Sequence, residues 1–462
     1  MAGWRRGAGV YPPVMRADPA KPLVVAVLLL TSCGGAPAPG APSRPPELGH
    51  ADVGSPALDA GAVSGKKEST EDAPVNTPAR TATFDEDLAF LNAHGETLVL
   101  TDPDGGKVAL SARYQARVMT SAVSGSGRSL GWINRSFIEA GKTGTQFDNY
   151  GGEDRFWLGP EGGQYGLYFA PGKPFTFDEW QAPHELQEGA WTVTEQKPDR
   201  VVFTRKMKAT NWSGTGLAVA VERTARLLSR DDAKKVLGVM LPSAKDGLDY
   251  VAFETKNAIA NDSKHRWSKE TGLPSIWVLA MFAPASDARV VIPFETQAVK
   301  GTEIVNDRYF GKVSPDRLTV NEARGFLTFK CDGKVRGKIG LGPERAKNVL
   351  GSYSAEGNLL TIVHYDGPKK GAPYVNSMWE KQKEPYKGDV VNSYNDGPPA
   401  PGKPPLGGFY EIETSSPAAE PDKNGGATLV HTHRTFHFVG QPDVLEPIAK
   451  KVLGVSLADI AK

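Results

Sequence analysis

Cysteine is nearly absent: Cys33 and Cys331 are the only two in 462 residues, so a scaffold held by several disulfides is excluded. Charge of one sign is missing as well. The 54 basic and 53 acidic residues leave a formal charge of +1 and are mixed along the chain, which gives no footprint for phosphate backbones, and no nucleic acid partner is expected. The apolar run from Leu23 to Leu30 falls well short of the ~18 residues that mark a membrane-spanning helix. A short-period repeat of propeller or solenoid type is not evident either. What the chain holds in quantity is glycine, 51, and proline, 36, a balance that suits many short strands joined by turns together with a flexible segment. A hydrophobic content of 39% is enough for a sizeable core.

The first segment reads as an export signal. Arg16 and Lys21 precede the apolar run, which suits the core of a signal peptide. It ends in Leu30-Thr31-Ser32-Cys33, which resembles the bacterial lipobox, a large apolar residue and two small ones before the cysteine that accepts diacylglycerol. Residues 1–33 are then a lipoprotein signal, with Met15 an alternative start, and Cys33 is the lipidation site that ties the protein to a membrane. With Cys33 lipidated, Cys331 has no partner in the chain. The opposing interpretation is a buried strand followed by an ordinary cysteine. Gly34 and Gly35 follow with no aspartate, and resemblance to other Gram-negative lipoproteins points to the outer membrane, on its periplasmic or surface face. Residues 34–82, rich in Ala, Pro, Gly and Ser, cannot bury enough apolar surface to offset ordering and read as a disordered tether.

Residues 83–462 read as one mainly β domain closed by a helix. After a short helix near Phe84–Ala93, Thr97–Thr101 and Lys107–Leu110 flank Asp102-Pro103-Asp104-Gly105-Gly106, a hairpin with turn chemistry at its tip. Alternating or apolar runs follow at Trp191–Thr194, Arg200–Lys206, Leu217–Leu228, Val290–Phe294, Gly325–Phe329 and Leu359–His364. Short strands between turn residues favour an antiparallel sandwich over βαβ units. At the end, Leu445, Ile448, Ala449, Val452 and Leu453 fall at the spacing of an amphipathic helix that caps the sandwich. Gly141-Lys142-Thr143 ends like a phosphate loop, but Ser136 stands where its first glycine is required, and the segment reads as a turn.

Two clusters carry chemistry. Phe147 to Gly163 packs Glu153, Asp154, Arg155, Trp157 and Glu161 among glycines, a composition that suits either stacking and hydrogen bonding of a sugar ring or a glycine-rich corner with self-paired charges. The second is Gly407 to Pro417, with Glu411 and Glu413, followed by Leu429 to Phe438. On a strand, His431, His433, Thr435 and His437 share one face. His431 and His433 are close enough to share a metal ion, but His437 lies roughly 20 Å from His431, so a zinc site needs ligands from elsewhere. The favoured interpretation is a solvated or polar strand face. No cofactor is expected, and a divalent metal stays an option.

In these residues the chain resembles the galactose mutarotase-like superfamily, which includes aldose 1-epimerases and other carbohydrate-active β-supersandwich domains. The early hairpin with Ala116-Arg117-Val118-Met119 is similar to its opening strands, and Asn134-Arg135 to a pair that contacts sugar in epimerases. Gly151 to Trp157 with Pro160-Glu161 is similar to a Gly-Gly motif of related families, and Tyr410 to Thr414 with Pro417 to the segment that bears the epimerase base. More specifically, residues 83–462 resemble an uncharacterised bacterial lipoprotein family. The resemblance implies an antiparallel β-supersandwich that binds a mono- or polysaccharide. Asn134, Arg135, Glu153, Asp154, Arg155, Trp157, Glu161 and His433 would contact the sugar, and Glu413 would be the catalytic base if epimerase chemistry is retained. The stretch that should supply the acid histidine, Phe253–Asn261, has none; His184, His364 or His433 could approach from other strands, and Lys256 could serve if buried. A rival function is a non-catalytic envelope lipoprotein that binds a protein partner or scaffolds; it predicts an exposed apolar patch and no concave polar pocket. A third option is a hydrolase or lyase on the same fold, and a hydrolase would pair Glu153 or Glu161 with Glu413.

Overall fold

Turns and alternation at the hairpin Leu98–Thr101 and Lys107–Ser111 produce the antiparallel pair that the sequence predicts, and Arg117–Ala122 adds a third strand. The computed structural model describes residues 82–124, 127–187, 189–297, 301–423 and 426–462; the export signal, Cys33 and the tether lie outside the described residues. Among these residues the strands form three antiparallel sheets, and the protein is mainly β. Strands of Val, Ile, Phe and Thr in period-two alternation build the largest of them, with ten strands. Its centre is Leu359–Tyr365, Thr428–Val439, Asp249–Asn261 and Gly216–Leu227, paired in that order.

A five-stranded sheet is stacked on it, in the order Gly337–Leu341, Val391–Asn395, Tyr410–Ser415, Ser275–Phe282 and Arg155–Gly159. Phe282, Tyr410, Ile412, Ile339 and Val391 point inward and pack with Leu350, Val363 and Tyr365 of the larger sheet. The outer face of the ten-stranded sheet, where Phe436, Phe438, Ile362 and Tyr250 emerge, is covered by helices. The C-terminal segment supplies two of them, Pro442–Leu453 and Leu457–Ile460, separated at Gly454 with φ 71°. Leu445, Ile448, Ala449 and Leu453 are buried there as their spacing requires, and Val452 is partly buried. Gly141, taken from sequence as part of a turn, is the left-handed cap of the helix Arg135–Ala140. Cys331 is a free, buried thiol that burial pushes up to about 12.

Candidate functional site

The site follows from strand parity. Directly paired residues share a face, so the register places Lys338 beside Tyr394 and Glu411, and Glu413 beside Leu279 and Arg155, all on the outer face of the five-stranded sheet. Trp157 and Trp277 stand directly opposite each other on that face. Gly151 and Gly152, with φ of 81° and 117°, turn the chain into the strand Arg155–Gly159. A Cβ on Gly151 would lie 2.3 Å from the Trp132 carbonyl oxygen, so the approach admits no side chain.

Loops roof this face and leave a cavity walled by Phe147, Trp157, Trp180, Trp277, Tyr394 and Phe409, with half-buried Phe177, Phe310, Trp379 and Leu406 completing it. The rings brace one another: Trp157 lies 5.6 Å from Trp277 and 5.1 Å from Tyr168, and Trp180 stacks on Tyr168 at 5.9 Å. The space open to the centre of a water molecule is about 60 Å³. That is narrow for a sugar ring, and entry of one requires the half-buried rings to shift.

Three carboxylates and three cations share this apolar setting. Glu413, 0% exposed, accepts from Trp277 Nε1 at 2.8 Å and Lys338 Nζ at 3.1 Å through one oxygen; its other oxygen, Oε1, has no partner. Lys338 also lies 4.0 Å from Glu161 Oε2, an oxygen that accepts no hydrogen bond, while Glu161 Oε1 accepts from Trp180 Nε1 at 3.0 Å. Arg155 donates to Glu411 at 2.6 Å, stacks 4.0 Å above the Trp157 ring and leaves Nε and Nη1 without partners. Arg336 lies 3.7 Å above the Phe310 ring. Burial pushes the Glu411 carboxyl up to about 7, against the pull of Arg155 and with the push of Glu413. Burial also raises Glu161, opposed by Lys338. For Lys338 burial acts to lower the pKa, but Glu413, Glu161 and Glu411 outweigh it and the ammonium is held above its ordinary value. Chemically, the cavity offers an aromatic wall, hydrogen-bond acceptors with free capacity, a firmly protonated lysine and two carboxyl groups that burial biases toward the neutral form.

Residues 82–462 match the model of a family of unknown function, DUF6786. The chain belongs to that family. No curated protein matches it in sequence. Among solved structures, the DUF6786 chain is similar to a candidate aldose 1-epimerase from Escherichia coli K12, with 10% identity and a TM-score of 0.42 over 74% of this chain and 98% of that one. It is similar to the Slr1438 protein of Synechocystis sp. PCC 6803, with 11% identity and 0.41 over 75% and 96%. A galactose mutarotase-like protein from Lactobacillus casei gives 10% identity and 0.38 over 74% and 100%. At these scores the likeness carries no argument about chemistry.

Of the residues singled out in the sequence, Arg155, Trp157 and Glu161 line this cavity, and Glu413 lies buried behind its lining, bonded to Lys338 and Trp277. The others lie elsewhere. Asn134 caps the helix Arg135–Ala140, and Arg135 pairs with Asp87 at 2.6 Å on a separate, part-exposed corner. Glu153 accepts from Ser121 at 2.7 Å and contacts His437 Nε2 at 2.7 Å between the sheets, so it cannot pair with Glu413 across the cavity. Asp154 is bound by Arg223 at 2.6 Å and Thr255 at 2.8 Å, both in the core. His433 and His431 share the Thr414 hydroxyl at 2.9 and 2.8 Å. The strand face expected to be solvated or polar is polar but buried, because the five-stranded sheet covers it; His431, His433, Thr435 and His437 are at most 2% exposed. Among the described residues no three His, Cys, Asp or Glu side chains are grouped to hold a metal.

None of the histidines weighed as an acid lines the cavity. His433 faces the core, His364 contacts Asn348 and Arg434, and His184 lies in a different groove. Lys256 is exposed. Sequence reasoning missed Lys338, Arg336, Trp180, Trp277 and Trp379. The one available signal was the density of aromatics at Phe175, Phe177 and Trp180, in a segment with no strand periodicity.

Proposed function

We propose that this cavity binds a carbohydrate, with epimerase-like proton transfer as the finer reading. One observation carries it: an aromatic wall lies beside carboxylate oxygens and guanidinium N–H groups that are buried and short of partners. That is the complement of a sugar, which offers an apolar ring face and hydroxyls that both donate and accept. In the finer reading, Glu413 Oε1 takes the proton of the anomeric hydroxyl. Glu161, biased neutral by burial, protonates the ring oxygen as the bond from that oxygen to the anomeric carbon breaks. The open chain recloses on the other face and both protons return. Lys338 is too basic to be that acid near neutral pH; its contact at 3.1 Å holds the Glu413 side chain in place. The partner-binding rival is less well supported, since the large exposed apolar residues among those described, Val99, Val193, Met240, Val335 and Val430, come from different elements.

Export and anchoring through Cys33 are part of the proposal and rest on the lipobox-like segment alone. Labelling by radioactive palmitate that is abolished in Cys33→Ala tests them. For the cavity, isothermal titration against a panel of hexoses and uronic acids is the test, with Trp379→Ala and Glu413→Gln alongside. Binding to one sugar class, weakened at least about tenfold in Trp379→Ala, is expected. The same titrations showing no heat with any sugar, from a folded protein, would sink the proposal. For a sugar that binds, anomer exchange followed by NMR, lost in Glu413→Gln, separates catalyst from binding module, and release of a cleaved glycoside would reassign the carboxylates to hydrolysis.

A further inference from the structure

The cavity region holds three cationic side chains and three carboxyl groups, unequally paired. Arg155 holds Glu411 at 2.6 Å and Lys338 holds Glu413 at 3.1 Å. Left over are Glu161, 4.0 Å from a lysine already committed, and Arg336, which meets no carboxylate within ion-pair distance among the described residues. Arg336 is half-buried, and its guanidinium is held flat against Phe310 at 3.7 Å with Phe177 at 5.2 Å, so its direction is fixed before any ligand arrives. Its Nε has no hydrogen-bond partner, and Nε and Nη1 of Arg155, a side chain 3% exposed, have none either.

We infer that the sugar carries a carboxylate, received by Arg336 with the free edge of Arg155 available to it. The inference rests on the carbohydrate reading and narrows it to a uronic-acid class of ligand. A neutral sugar could satisfy the idle N–H groups through its hydroxyls, but on sealing the mouth it would strip water from Arg336 and return no countercharge. A carboxylate supplies both, in the planar two-oxygen form that a guanidinium matches. The narrow cavity and its own three carboxylates oppose a tetrahedral phosphate carrying nearly two charges. The ring hydroxyls then have Glu161 Oε2 to donate to.

The test is titration of the full chain with D-glucuronate and D-galacturonate, the parent glucose and galactose, and the two hexose 6-phosphates, using wild type, Arg336→Gln and Arg336→Lys. Expected is a uronate preferred over its parent hexose by at least about tenfold, with that preference lost in Arg336→Gln and partly kept in Arg336→Lys. Thermal melts of both variants, near wild type because Arg336 has no ion partner to strand, exclude misfolding as the cause. A parent hexose that binds as tightly as its uronate overturns the inference and leaves the carbohydrate reading standing. Tighter binding of a hexose 6-phosphate overturns it too, and no binding by any of the six removes both.

Discussion

Along the strand Tyr410–Ser415, neighbouring residues serve two different interiors. Glu411 lines the roofed cavity and Glu413, on the same face, is buried against Lys338, whereas Ile412 and Thr414 face the ten-stranded sheet. Both interiors are polar. In the inner one the central ion pair is closed off, although Glu153 Oε2, His433 Nε2 and Thr435 Oγ1 around it have no partner: Arg223 and Asp154, each 0% exposed, are joined at 2.6 Å, and Arg223 also donates to Asn257 at 2.5 Å and to the Ala116 carbonyl at 2.9 Å. In the outer one, guanidinium and carboxylate groups keep idle hydrogen-bonding capacity and open onto space. An ion pair whose hydrogen bonds are all met within the chain specifies packing, while unmet charged groups beside a void are arranged for something that is not part of the chain.

Breaking the inner network should have the largest effect. Arg223→Met leaves the Asp154 carboxylate buried with only Thr255 to answer it, a loss of about 3–5 kcal/mol that chemical denaturation would read. Glu413→Gln should cost clearly less, because its amide oxygen can still accept from Trp277 and Glu161 remains near Lys338, yet it should abolish ligand chemistry. Equal destabilisation by the two substitutions would erase the distinction between the faces.

The two interiors should also respond to pH in opposite directions. Burial lowers His431 to about 3, with help from His433, and lowers His433 to about 4 against the pull of Asp154. Both folded values lie below the ordinary histidine value of 6.5, so both rings are neutral in the fold. Their contribution to stability is fully present above 6.5 and is lost as pH falls toward 4 and 3. Glu411 runs the other way: its folded value is raised from 4.5 to about 7, so its contribution is complete below 4.5 and is lost as pH rises through 7. Thermal melts across this range should find that His433→Gln flattens the acid limb and Glu411→Gln the neutral limb. Variants that shift the whole curve without changing either slope would refute both assignments.

Much of this division was legible in the sequence, because strand parity is. Alternation grouped His431, His433, Thr435 and His437 on one face, and the turn residues located the early hairpin. Parity does not say which face another sheet will cover, and a row of histidines reads as solvated until one does. Lys338 was invisible for the same reason: Gly-Lys-Ile-Gly-Leu looks like a strand with one wet side, and only pairing beside Tyr394 and Glu411 under a roof of loops makes that side an interior. Trp277 reaches Glu413 across 136 residues of sequence, a closure that no local pattern encodes. Arg135 failed differently, since a two-residue likeness carries no information about the helix Phe84–His94, whose Asp87 claims it.

That last residue offers the smallest expected effect and a sharp control. Arg135 lies 4.7 Å above Phe90 and pairs with Asp87, and its side chain is 38% exposed. Solvent screening limits such a pair to about 0.2–1 kcal/mol, so Arg135→Ala should move the melting temperature slightly. It should leave sugar affinity unchanged, because the residue does not line the cavity. Loss of affinity in Arg135→Ala with affinity intact in Trp379→Ala would relocate the site to the corner near the helix Phe84–His94, and the asymmetry between the two faces of the five-stranded sheet would then lose its functional meaning.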